Sequence, residues 1–170
     1  MVEAELLSTL QAISSIAGAI GVCIAAIYYI LNLRTTIQTR QAQLFMPIYS
    51  TYYNDEFIKA FQEVTTWNYT DYNDYMKKYS YAANPEAYMQ YRKVFGYLEG
   101  LGVLVRRKLI DPSLVDDLMS GAVIITWEKL KPYILESSKR RNWPQIGEQI
   151  EYLYEKIRPI VLSQHPELDK

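Results

Sequence analysis

The stretch Leu6–Leu33, LLSTLQAISSIAGAIGVCIAAIYYILNL, decides the architecture, because its 28 consecutive residues include no Asp, Glu, Lys, Arg or His. A helix needs roughly 20 mostly apolar residues to cross a hydrocarbon core about 30 Å thick, and this run exceeds that length with room for tilt. Ile13, Ile16, Ile20, Val22, Ile24, Ile27, Ile30, Leu31 and Leu33 supply the insertion energy. At roughly −0.3 to −0.6 kcal/mol each they contribute on the order of −4 kcal/mol, against smaller costs from Gln11, Ser14, Ser15 and the two glycines. A secretory signal would have a basic leader and a shorter apolar stretch, whereas Glu3 and Glu5 precede this one. A soluble core helix that is apolar all round would need about 40 Å of surrounding protein, which a domain of this size does not provide. The expectation is a transmembrane helix over about residues 8–33, within an N-terminal segment 1–33.

Orientation follows from flanking basic residues. Arg34 and Arg40 lie on the C-terminal side of the run and no basic residue lies on the other. The positive-inside rule therefore predicts a single-pass protein of the cell membrane, N-terminus outside and residues 34–170 cytoplasmic. Tyr28 and Tyr29 stand where an interfacial aromatic belt is expected. Within the run, Ser14, Gly18, Gly21 and Ala25 recur at i, i+4, i+7 and i+11, a small-residue stripe that permits close approach of a second helix. The expected partners are the lipid bilayer and, along this stripe, a homo-oligomer or another membrane protein. Cys23 lies in the same run and reads as a small apolar residue.

Outside the run the composition changes. Of the chain's 37 charged residues, 35 fall in the last 137, about the share of an ordinary soluble domain. The mean hydropathy of −0.15 is therefore an average over two unlike parts. The 170-residue length fits one domain, and the composition excludes a disordered or collagen-like chain. From residue 34 onward there are 18 basic and 17 acidic residues, so the bias that phosphate binding needs is missing and nucleic acid is disfavoured as a partner.

Helix signals dominate this second part. Residues 34–53 read as a connecting helix kinked or ended near Pro47. Asn54 before Asp55 and Glu56 is an N-cap signature, with Phe57, Ile58, Phe61 and Val64 on one face behind it. The polar and aromatic segment 65–84 is expected to hold a short helix between loops. Asn84-Pro85-Glu86 opens the longest soluble helix, running to about Lys108. Asp111-Pro112 opens a short helix through Met119 with Gly121 near its end, and another helix follows from about residue 122 with a kink at Pro132. Trp143-Pro144 opens the last helix, in which Ile146, Ile150, Leu153, Ile157 and Ile160 mark the buried face. No period-2 strand pattern occurs. The predicted fold is all-α: the transmembrane helix, then a small cytoplasmic bundle of about four to six helices over 54–162, then a frayed tail over 163–170.

The block Phe95–Asp111, FGYLEGLGVLVRRKLID, followed by Trp127 in ITWEKLKPYI, resembles a family of uncharacterised archaeal and bacterial proteins. These have an N-terminal membrane helix and an all-helical domain of unknown function. The resemblance implies the architecture and contributes no activity.

Catalytic constellations are absent from the sequence. His165, the one imidazole, lies beside Pro166 near the C-terminus, so triad and Cys–His chemistry lack their base. Asp71-Tyr72-Asn73-Asp74 opens like a calcium loop, but Met76 replaces the required glycine and Ala82 the bidentate glutamate. No catalytic, metal-binding or cofactor-binding residue is assigned. Two basic clusters, Arg106-Arg107-Lys108 and Lys139-Arg140-Arg141, fall at expected helix C-termini, where cations oppose the helix dipole. They are also the candidates for contact with anionic lipid or phosphate. Eleven of the sixteen tyrosines lie between Tyr49 and Tyr97, and Tyr69, Tyr72, Tyr75 and Tyr79 form a candidate partner surface. The sequence favours a non-catalytic, membrane-anchored interaction module or accessory subunit of a membrane complex. The alternative is a membrane-tethered enzyme or sensor of small ligands or anionic lipid, with Glu99, Asp111, Arg106 and Arg107 gathered in a pocket.

Overall fold

In the computed structural model, which describes residues 2–168, six α-helices account for nearly the whole chain and no strand occurs among the described residues. The first, α1, runs from Val2 to Tyr52. The chain divides into two units, residues 1–43 and 44–170. The first unit is one helix, long and apolar enough to cross a membrane by length and composition, and none of its most apolar window is buried by the rest of the protein. Val22 and Ile24, for example, are 70% and 62% exposed.

The second unit contains the last turns of α1 and five further helices: α2 (Asp55–Thr66), α3 (Tyr72–Tyr79), α4 (Pro85–Arg106), α5 (Pro112–Arg140) and α6 (Glu148–Gln164). A 3₁₀ turn over Pro166–Leu168 follows. Helix α6 lies against both α4 and α5, α2 packs on α4, and α3 leans on α5. Leu98 of α4, Trp127, Leu130 and Ile134 of α5, and Ile150, Leu153 and Ile157 of α6 form a fully buried centre. From α1, Phe45 enters the core, and the Ile48 carbonyl accepts a hydrogen bond from the Tyr97 hydroxyl at 2.8 Å.

Several starts follow the sequence signals. The Asn54 side chain accepts from the Glu56 amide, Asn84 from Ala87 and Asp111 from Ser113, each supplying an amide acceptor that the helix cannot provide for itself. Asp71, which opens the calcium-like spacing, caps α3 by accepting from the Asp74 amide.

Helix α1 continues through Pro47 to Tyr52, and α5 continues through Pro132. Other boundaries differ from the expectation: α5 is one helix across Gly121, where the sequence suggests a break between Met119 and residue 122. An interior glycine costs only about 1 kcal/mol against alanine. Burial of Met119, Ala122 and Val123 on either side of Gly121 outweighs that cost. Pro132 is exposed, so the carbonyl left without its amide partner faces water. The last helix begins at Glu148 and not at Trp143-Pro144; residues 144–147 form turns, ended by Gly147 at φ +83°. The frayed tail 163–170 is helical to Gln164 and 3₁₀ to Leu168, and its last two residues lie outside those described.

The α4–α6 contact depends on Gly102. A Cβ there would overlap the Gln149 carbonyl, whereas Gly96 and Gly100 on the same helix have open space around them. Gly102→Ala should lower the unfolding free energy by about 1–3 kcal/mol through overpacking. Gly96→Ala and Gly100→Ala should raise it by about 0.5–1 kcal/mol through helix propensity. Urea unfolding followed by circular dichroism separates the two cases, and equal effects at all three glycines would refute the close approach.

Candidate functional site

Helix α4 begins at its Asn84 cap and presents Tyr88, Tyr91, Arg92 and Phe95 on successive turns toward the C-terminal end of α5. There α5 contributes Tyr133 and Ser137, Arg141 stands at its C-cap, and the following segment adds Trp143 and Ile146. Together they line a cavity of about 200 Å³ that is open to solvent on one side. Its walls are mostly aromatic: Tyr91 and Phe95 stack with centroids 5.1 Å apart, and Tyr91 meets Tyr133 edge to face at 5.5 Å. Burial holds the phenols of Tyr91 and Tyr133 above their ordinary range. The nearby guanidiniums of Arg92 and Arg141 oppose this for Tyr91 and Tyr133 respectively. No carboxylate lines the cavity.

Ser137 is 3% exposed, with its Oγ sealed from solvent beside the Tyr133 phenol, whose pKa it lowers. Neither Arg92 nor Arg141 forms an ion pair among the described residues, whereas Arg106 and Arg140 do, with Glu148 and Glu136.

The residues singled out in the sequence have other positions. Tyr75 is fully buried and is therefore core, not partner surface; it stacks on Tyr133 at 3.6 Å. Tyr69, Tyr72 and Tyr79 are half-buried around it. The Tyr69 hydroxyl donates to the Lys129 carbonyl, Tyr72 stacks on Tyr133, and Tyr79 lies flat on Trp67 at 4.1 Å. Burial pushes the Tyr69 phenol up to about 12.

Both basic clusters stand at helix C-termini. Arg106 ends α4 and reaches Glu148 at 2.5 Å, while its guanidinium lies over Tyr152. Arg107 is the cap, and Lys108 takes a left-handed conformation at φ 58°. Lys139 and Arg140 occupy the last turn of α5, with Arg140 over Tyr72. Arg141 is the residue of these six that lines the aromatic cavity. In the first unit Ser14, Gly18, Gly21 and Ala25 are exposed, with open space around both glycines.

Glu99, Asp111, Arg106 and Arg107 do not form one pocket. Asp111 caps α5, which holds its carboxyl below the usual range. Arg106 and Arg107 line a shallow surface depression with Val103 and Gln149. Glu99 accepts from the amides of Gln149 and Ile150 at 3.1 and 2.9 Å, closing the start of α6 from another helix. Burial raises its pKa, and those two amide bonds oppose the shift. His165 lies on the surface beside Glu167.

The cavity was not legible as a site in the sequence. Its residues come from two stretches about 40 positions apart, and each reads locally as amphipathic helix. The available signal was an aromatic–arginine spacing, Tyr88, Tyr91, Arg92 and Phe95 on one face, opposite a second arginine after a helix end.

These features define an all-helical domain following a long apolar helix, with one aromatic cavity at the α4–α5 junction. Residues 15–157 match the family described as a domain of unknown function, DUF4760, and the chain belongs to that family. No curated protein and no solved structure matches the chain.

The Glu99 cap generates a prediction. Glu99→Ala leaves two amides at the start of α6 without acceptors and should cost about 1–3 kcal/mol in thermal or urea unfolding. Glu99→Gln retains an acceptor oxygen without a buried charge and should stay within about 1 kcal/mol of wild type. Because the folded-state pKa lies above the unfolded one, the folded protein binds the additional proton. Wild-type stability should then fall, relative to Glu99→Gln, as pH rises from the ordinary glutamate value through the raised one. Equal losses for Ala and Gln would refute the capping role.

Proposed function

We propose that the protein is a single-pass membrane protein whose cytoplasmic helical domain is a non-catalytic interaction module, an accessory subunit of a membrane complex. The observation that carries this reading is the run Leu6–Leu33, uncharged throughout and exposed along its whole length. Its large aliphatic side chains would carry a high hydration cost in water, and a bilayer removes it. The family match begins inside the run, at residue 15, so the run and the helical domain form one family unit. That continuity favours an anchor over a detachable leader.

Orientation in this proposal rests on Arg34 and Arg40, with no basic residue on the other flank. The small-residue stripe at Ser14, Gly18, Gly21 and Ala25 is the face offered to a second membrane helix, since backbones approach closely where side chains are small. In the helical domain, the polar groups that a catalytic reading would have gathered serve as helix caps and ion pairs. This favours an interaction role.

Expressed full-length protein should remain in the membrane pellet after high-salt and alkaline carbonate washes. Release into the supernatant would overturn the anchor. Protease should digest the helical domain in inverted vesicles and spare it in intact spheroplasts; the reverse pattern would overturn the orientation. Gly18→Leu together with Gly21→Leu should change the oligomeric state or the set of copurifying proteins in mild detergent. An unchanged pattern would remove the small-residue interface from the proposal.

A further inference from the structure

The cavity between α4 and α5 combines two features. Its wall is aromatic, with Tyr88, Phe95 and Trp143 offering ring surface. Two arginines at its border, Arg92 and Arg141, have no ion-pair partner among the described residues.

The charges select the class of ligand. An aromatic cage without arginines would suit an organic cation. Here two guanidiniums border the rings and no carboxylate balances them, so a cation is repelled and an anion attracted. Arg141 also offsets the dipole at the end of α5, but Arg92, in the first half of α4, has no such role. Guanidinium groups bind carboxylates with paired, charge-assisted hydrogen bonds. The volume of about 200 Å³ lies below the range of roughly 300–1,000 Å³ typical of pockets for drug-sized molecules, which restricts the ligand to about one ring with a short acidic arm.

We propose that this cavity binds a small single-ring carboxylic acid, its carboxylate held by Arg92 and Arg141 and its ring against Tyr88, Phe95 and Trp143. Such a site makes the interaction module responsive to a free metabolite-sized acid. It is independent of whether the N-terminal helix spans a membrane.

The test is calorimetric titration of the full chain in zwitterionic detergent with phenylacetate, its neutral amide phenylacetamide, and inorganic phosphate. Phenylacetate should saturate a single site and bind about tenfold or more tightly than either comparator. Arg92→Ala and Arg141→Ala should each weaken it about tenfold with helicity unchanged, because both side chains are exposed. Three results would each overturn the proposal: no saturable binding of phenylacetate, equal binding of acid and amide, or undiminished binding in both arginine variants. Tighter binding of phosphate than of phenylacetate would also overturn it, by assigning the arginines to a bare anion with no part for the rings.

Discussion

Helix α6 begins without a cap of its own. Gly147 precedes it in a left-handed conformation and has no side chain to accept an amide. The acceptor comes from Glu99, in the middle of α4, whose carboxylate takes the Gln149 and Ile150 amides. Three constraints meet at this junction. Gly147 must be glycine, because a Cβ there would strike Ile134 in addition to the strain of positive φ. Gly102 must be glycine, because the Gln149 backbone lies against it. Arg106, one turn on, then reaches Glu148. With α6 held against both α4 and α5, the apolar row Ile150, Leu153, Ile157 is buried and the domain has its centre.

The same arrangement produces the aromatic cavity. Once α4 and α5 are fixed by α6, the N-terminal half of α4 and the C-terminal end of α5 stand side by side, with the segment 143–147 beside them. Tyr91 and Tyr133 fill the inner part of that space and extend the aromatic core through Tyr75. The outer part stays open, lined by Ser137 and bordered by Arg92 and Arg141. A cation-poor version of this surface would be only the edge of a core; the uncompensated arginines distinguish it.

The chain belongs to the DUF4760 family, whose description assigns no reaction. The long apolar helix and the helical domain are physically unlike. One has a hydrophobic surface on all sides and the other an ordinary charged exterior, and the mean hydropathy of the chain conceals both. The large aliphatic residues of the uncharged 28-residue run are exposed, whereas the second unit buries its own.

What the sequence determined by itself was whatever depends on neighbours along the chain. The uncharged run, the helical class, and the caps at Asn54, Asn84 and Asp111 are all local matters of hydration, periodicity or an amide two or three positions away. Boundaries failed where a distant contact outweighed a local preference. Burial around Gly121 carried α5 through a glycine that reads as a stop, and Glu99 displaced the start of α6 from Trp143-Pro144 to Glu148. The tyrosine series at 69, 72, 75 and 79 has one spacing, yet Tyr75 is core and the others are half-buried, because helix spacing sets only a common face and not what covers it. Only the tertiary structure decided the cavity, since aromatic rings and two arginines without an ion pair among the described residues become neighbours through packing across about 40 residues of chain.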